Sequence, residues 1–365
     1  MTYLSRLSIL VRFQPLPAIT KKDKLETLDK GTIRKVVAHV SKIISAGSIK
    51  LVIVHGAGSF GHFQAAQYGV NGGSLHPEKE DREATLKGFA LTRASVTKLN
   101  HHLVSEFLKA EIPAVGISPF PVWLNDIDGT MEKTREELRR ILKMGMVPVI
   151  HGDAMFLPSG ESYILSGDTI VKKISLECRP KFVLFLSDVD GIFDRPPELP
   201  GARLIHNVSV DTVRGTYSIN GNQYSTERDP LPWEGKGSGW EASKGGETSN
   251  RIEFTSASHD TTGGMEAKVK EAVKIANYGI DVLITKAGSD AALSALEAFP
   301  ECLNLPDVRS LVGRFKELTE ENQSWRGTRI SAREFPKTLW SQDENLDEVY
   351  LRGLNPMKAC KDEPI

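Results

Sequence analysis

Leu51-Val52-Ile53-Val54-His55-Gly56-Ala57-Gly58-Ser59-Phe60-Gly61-His62 carries the fold and the first hint of chemistry together. Four consecutive apolar residues read as a buried strand, and the glycines mark where it stops. Three glycines within six residues let backbone N–H groups approach and surround an anion. A helix beginning just after the turn adds its positive end. His62, at the rim, can bind a phosphate oxygen and respond to its charge. Taken alone, the stretch describes an ordinary strand-to-loop connection equally well, so its meaning rests on the rest of the chain.

Downstream, Leu86, Phe89, Ala90, Val96, Leu99, Leu103 and Phe107 recur at spacings of three and four, which predicts a long helix over roughly 78–110. Gly88 offers a point where a ligand can approach that helix. Strand Ala114 to Ile117, helix Glu132 to Met144, strand Val147 to Ile150, helix Asp168 to Glu177 and strand Phe182 to Leu186 then alternate. That order predicts a layered α/β protein with a mostly parallel sheet. The connections His151-Gly152-Asp153, Ser166-Gly167-Asp168 and Ser187-Asp188-Val189-Asp190-Gly191 are rich in Gly, Ser and Asp. Ligands of open α/β sheets collect at such strand ends. Residues 215–259 are Gly-, Ser-, Glu- and Asn-rich with little periodicity and are expected to be a mobile, disordered insertion. Pattern returns with Thr261-Thr262-Gly263-Gly264-Met265, a helix to about Tyr278, a strand Val282 to Thr285 and a helix from Ser289. Residues 331–365 read as a charged tail.

The 365 residues, 40% hydrophobic and 25% charged, suffice for one large core or two joined lobes. Lys plus Arg (46) nearly balances Asp plus Glu (47), so no global field favours nucleic acid or an anionic membrane, and any anion site is local. Cys178, Cys302 and Cys360 are odd in number and lack metal-ligand spacing; they read as reduced structural thiols, which suits the cytoplasm. No apolar run approaches the roughly 20 residues that span a bilayer. Residues 1–22 hold Arg6, Arg12, Lys21 and Lys22 without an acid, but Pro15 and Pro17 interrupt the amphipathic helix that an organelle-targeting segment needs.

Five blocks, in order, carry a resemblance: Ala18-Ile19-Thr20-Lys21-Lys22, His55 to His62, Ile164-Leu165-Ser166-Gly167-Asp168, Asp188-Val189-Asp190-Gly191-Ile192-Phe193, and His259 to Lys268. Through them residues 18–330 resemble the amino acid kinase superfamily, and within it the eukaryotic isopentenyl phosphate kinases. The resemblance implies a three-layer α/β/α sandwich with a mostly parallel central sheet. It implies an acceptor-binding lobe over 1–178, an ATP-binding lobe over 179–330, and a homodimer formed by the first lobe. The implied reaction moves the γ-phosphoryl group of ATP to isopentenyl phosphate. Positioning and charge neutralisation dominate such a transfer.

By the same resemblance, His62 holds the acceptor phosphate, helped by the backbone of Ala57, Gly58 and Gly167. Lys22 stabilises the transferring group, and Lys268 contacts the donor phosphates. Asp168 orients these cations, although an acid near a helix start also reads as a cap. Asp188, Asp190 and Gly191 lie on the nucleotide side, while Gly263 and Gly264 leave room for its phosphates. Mg²⁺ is expected on the nucleotide's phosphates, with no cage of protein ligands. Same-fold kinases of other phosphates, phosphonates or carboxylates, and a nucleotide-binding regulator without turnover, are the competing readings.

One block departs from the family pattern. Members carry a Lys-Leu-Gly-Gly-type segment before Ala-Ile-Thr. Counting back from Ile19, Phe13 falls at the lysine, and Pro15 and Leu16 fall at the glycines. Proline lacks an N–H and leucine blocks close backbone approach. The chain is therefore expected to be a poor kinase, either because this segment is not the natural one or because the protein is a weakened member. Arg12, one residue away, is a possible source of charge.

Overall fold

In the computed structural model, which describes residues 9–13, 19–20, 24–45, 49–76, 81–121, 123, 132–212, 216–219, 222–225, 264–303 and 325–332, the strand β1 (Ile9–Phe13) is buried along its length near the middle of a sheet. The elements that follow are α1 (Lys30–Ser45), β2 (Leu51–His55), α2 (His62–Gln67), α3 (Arg82–Lys109), β3 (Ala114–Ile117), α4 (Glu132–Lys143), β4 (Val147–His151), β5 (Asp153–Phe156), β6 (Ser162–Leu165) and α5 (Gly167–Cys178). Next come β7 (Phe182–Ser187), β8 (Ile192–Phe193), β9 (Leu204–Ile205), β10 (Asn207–Asp211), β11 (Thr216–Ile219), β12 (Asn222–Ser225), α6 (Gly264–Asn277), β13 (Asp281–Lys286), α7 (Asp290–Leu303) and β14 (Gly327–Ala332).

The main sheet has the order β12-β11-β10-β14-β13-β7-β1-β2-β4-β3. Pairing is parallel from β13 through β7, β1, β2 and β4 to β3. Side chains alternate across a strand, so each face gathers its own core. Ile9, Val11 and Phe13 join residues of α1, α3 and α7 on one face, whereas Leu10 joins those of α4, α5 and α6 on the other. This is the expected three-layer arrangement. All described residues belong to one unit, Met1–Arg333. The lobe boundary expected after residue 178 falls between α5 and β7, where the sheet is continuous because β1 pairs with both β2 and β7.

Most predicted elements match within a few residues, and two differences stand out. The stretch expected to be a disordered insertion begins instead with a hairpin. β11 pairs antiparallel with β12 and extends the sheet, with Ile219 opposite Asn222. Asn220-Gly221 between two short strands is a strong hairpin signal, outweighed in the sequence reading by the polar composition around it. The rest of 215–259 lies outside the described residues. β14 pairs with β13 and β10, so regular structure runs to Ala332 and not to Ile330 as expected. Cys178 is a free, half-buried thiol pushed up to about 11 by its surroundings' exclusion of water, as suits a structural cysteine. Among the described residues no helix is long and apolar enough to cross a membrane.

Phe13 is 1% exposed and its ring stacks on Phe107 of α3 with centroids 6.4 Å apart. Its side chain therefore belongs to the core and not to a phosphate site. Truncation in Phe13→Ala should cost about 3–5 kcal/mol in urea denaturation. Phe13→Lys should cost at least as much and bring no gain in activity, because it places an unpaired ammonium in that core.

Candidate active site

Five strand ends lie level: His151 of β4 opposite His55 of β2, His55 opposite Phe13 of β1, Phe13 opposite Leu186 of β7, and Ser187 opposite Lys286 of β13. The turns that follow them line the carboxyl edge of the sheet, the usual ligand-binding edge of such folds. The glycine-rich turn after β2 is a short 3₁₀ segment, Gly58–Phe60, leading into α2. Gly58 has φ +55°, which a side chain would strain. A Cβ on Gly61 would lie 2.6 Å from that of Ala57.

Ser59 holds this turn in place. Its amide donates to the Thr20 hydroxyl, its own hydroxyl donates to the Thr27 carbonyl, its carbonyl accepts from the Glu26 amide, and the Thr27 amide donates to its Oγ. Above the turn, a narrow cavity is walled by Ala57, His62, Gly167, Val96, Ile164 and Leu165. Three of the four expected acceptor residues therefore meet in one place, and Gly58 serves the turn without lining the cavity. Among the described residues neither the Ala57 nor the Gly167 amide has a hydrogen-bond acceptor. Two such amides and a histidine on one cavity with aliphatic side chains suit an anion carrying an alkyl group. Gly88 is not the ligand approach it was expected to be: a Cβ there would sit 2.2 Å from that of Tyr68, so this glycine serves packing between α2 and α3.

Asp168 lies in the first turn of α5, but it does not cap the helix. Ser166 does, accepting from the Thr169 amide at 3.1 Å. The buried Asp168 carboxylate is shared by two cations: Arg12 Nε donates to Oδ1 at 2.8 Å, and Lys268 Nζ lies 3.5 Å from Oδ2. Arg12 is 4% exposed, Lys268 2% and Asp168 6%. Burial pushes the Asp168 carboxyl up, but Arg12 first and Lys268 second outweigh it, holding the group below its ordinary range. Lys268 is pulled below its usual value by burial, against the attraction of Asp168. Arg12 and Lys268 thus converge on Asp168 at the carboxyl end of the sheet, and the Asp188 carboxylate also acts on Lys268.

Gly167 joins the two halves of the site. A Cβ on it would come within 2.5 Å of Arg12 Cζ, so only glycine lets the guanidinium lie there, and the same residue walls the cavity that His62 borders. Arg12 also donates to the Phe13 carbonyl. Of the residues expected to face a nucleotide, Asp188 accepts from the Ser187 hydroxyl at 3.1 Å, and Asp190 is held by Arg326 at 3.0 and 3.2 Å. Gly191 is a packing glycine, since a Cβ would lie 2.5 Å from the Thr328 hydroxyl. Gly264 opens α6, whereas Lys22 and Gly263 lie outside the described residues. Among the described residues no cluster of His, Cys, Asp or Glu could hold a metal ion.

Residues 18–286 match the model of the amino acid kinase family. The isopentenyl phosphate kinase of Arabidopsis thaliana is 36% identical over 250 residues, 68% of this chain and 67% of that protein. The isopentenyl phosphate kinase of Methanothermobacter thermautotrophicus is 31% identical over 275 residues, 74% of this chain and 87% of that protein. The chain belongs to the isopentenyl phosphate kinases of the amino acid kinase family. A solved structure titled as X-ray structures of isopentenyl phosphate kinase superposes with a TM-score of 0.55 at 25% identity, covering 79% of this chain and 96% of the other.

Counting back from Ile19 puts Phe13 at the family's lysine, and the cation that β1 itself carries, Arg12, stands one residue earlier. β1 alternates, so Phe13 points into the α1/α3/α7 core while Arg12 points to the α5/α6 side and reaches Asp168. The signal was present in the sequence as a single charge inside the apolar run Ile9-Leu10-Val11-Arg12-Phe13. Residues 14–18, which include the prolines, are outside the described set. Arg12→Ala should lower turnover roughly a hundredfold, about 3 kcal/mol, with Arg12→Lys intermediate in steady-state assays. Asp168→Asn should cost about 3–5 kcal/mol at pH 7 by leaving buried cations unpaired. Because the Asp168 carboxyl titrates lower in the folded chain, its contribution is complete above the unfolded carboxylate range. The gap between parent and Asp168→Asn should therefore shrink as pH falls through and below the folded value in pH-dependent melting.

Proposed function

We propose that this protein transfers the γ-phosphoryl group of ATP to isopentenyl phosphate, forming isopentenyl diphosphate in isoprenoid biosynthesis. One observation carries the reading: Gly167 is at once a wall of the half-apolar cavity beside His62 and the seat of the Arg12 guanidinium. Acceptor and transfer sites thus abut across a single residue. The acceptor's phosphate sits on the Ala57 and Gly167 amides and His62, with its alkyl chain toward Val96, Ile164 and Leu165. A phosphate oxygen of the acceptor then attacks the γ-phosphorus as the bond to the leaving diphosphate breaks.

Both reactants are anions, so the chain's main task is to cancel their repulsion. Arg12 and Lys268 supply fixed positive charge, and Asp168 holds them in register. Lys22 adds a further cation, and Gly263 and Gly264 leave the donor phosphates room. Asp188 and Gly191 border the nucleotide. Asp190 reaches it only by leaving Arg326. ATP brings the group to be transferred, and Mg²⁺ carried on its phosphates would offset part of their charge.

The acceptor lobe over 1–178, the nucleotide lobe over 179–330, a homodimer and a cytoplasmic location complete the proposal, and size-exclusion chromatography with light scattering tests the dimer. A regulator without turnover, whose support was the altered Phe13–Pro17 segment, is not favoured by the relatives; Arg12 on Asp168 supplies one cation beside that segment, and residues 14–18 lie outside the described residues. Purified protein should phosphorylate isopentenyl phosphate in preference to glutamate or uridine monophosphate. His62→Ala should raise the acceptor KM most, and Lys268→Ala should lower kcat by about a hundredfold. Comparable use of glutamate, or an unchanged acceptor KM in His62→Ala, would count against this assignment.

A further inference from the structure

Two neighbouring strands end in the same way, Val52-Ile53-Val54-His55-Gly56 and Pro148-Val149-Ile150-His151-Gly152. The two histidines stand opposite each other in the parallel register, both almost completely buried, with ring centroids 6.0 Å apart. Each places Nδ1 against the carbonyl of its own following glycine, at 2.8 Å for His55 and 2.9 Å for His151. Both glycines wall the cavity beside His62, and a Cβ on Gly152 would lie 3.6 Å from the Gly56 Cα. Neither histidine has a place in the phosphoryl transfer described above.

The tautomer of His55 follows from its other nitrogen. Asn100 of α3 sets its side-chain Nδ2, which only donates, 3.0 Å from His55 Nε2, and also donates to the Val149 carbonyl at 3.0 Å. Nε2 therefore accepts, Nδ1 carries the proton, and the Nδ1–H donates to the Gly56 carbonyl. The Gly56–Ala57 peptide is trans. Its carbonyl and its N–H point in opposite directions across one rigid plane. With the carbonyl drawn to the imidazole, the Ala57 N–H points the other way, to the cavity.

We infer that His55, oriented by Asn100, is a positioning residue that locks the Gly56–Ala57 peptide with its carbonyl away from the acceptor phosphate and its amide toward it; His151 fixes the Gly152 carbonyl in the same manner. The consequence is electrostatic. Two carbonyl oxygens that would repel an anion are engaged elsewhere, and a free donor is left facing it. Burial holds His55 down to about 3, so the ring stays neutral through the working pH range.

The inference rests on the proposed acceptor, and its test separates the two. In His55→Leu the carbonyl loses its donor, whereas in His55→Asn the side-chain amide can replace Nδ1–H. His55→Leu should raise the KM for isopentenyl phosphate about tenfold while leaving the KM for ATP nearly unchanged, and His55→Asn should recover most of the loss. Equal acceptor KM values in His55→Leu and the parent, or equal damage in both variants, would overturn it. Should His55→Leu fail to fold, imidazole ¹⁵N shifts of the parent decide the matter. A neutral Nδ1–H ring at pH 7 is expected, and an Nε2–H ring or an imidazolium refutes the inference. If the parent does not use isopentenyl phosphate at all, the kinase proposal fails and the ¹⁵N result alone judges His55.

Discussion

The carboxylate of Asp168, buried between Arg12 and Lys268, ties three elements into one site: the central strand β1, the start of α5 and the helix α6. Burying three charges is costly, and the pairing offsets that cost only while all three are present. The arrangement therefore does more for placement than for stability. Its cations are held in low dielectric at the carboxyl end of the sheet, where fixed charge acts most strongly. The two shifts have different causes: Asp168 is held low by its two cations in spite of burial, whereas Lys268 is lowered by burial itself, with Arg12 adding to the fall.

The glycines of this site are not interchangeable. Gly58 is required by its backbone conformation, and Gly167 by the guanidinium lying against it. Gly88 and Gly191, in contrast, are filled by Tyr68 and Thr328 from the protein itself. A glycine in a sequence marks a missing side chain, and only the tertiary structure shows whether a ligand or a neighbour occupies the space. Ser59 makes the same point from the other direction. It sits in the sequence as the spacer of a glycine-rich turn, yet its hydrogen bonds fasten that turn to residues 20–27.

Much of this protein was determined by its sequence alone. The alternation of strands and helices from β2 to β7 was legible because buried parallel strands are continuous apolar runs and the helices between them keep their periodicity. The resemblance singled out Ala57, His62, Gly167, Asp168 and Lys268 through short motifs, four of them in turns or helix starts that follow strands and Lys268 in α6. What only the tertiary structure decided was which face each residue serves. Phe13 falls at the family's lysine by count yet faces the core, while Arg12 beside it faces Asp168, because one residue of offset moves a side chain to the opposite layer. Asp168 proved to be an ion-pair hub because a serine two residues earlier already capped the helix. The contact between Arg12 and Asp168 spans 156 residues, and that between Asp168 and Lys268 spans 100; no local pattern encodes such separations, which arise only when the sheet brings β1, α5 and α6 together.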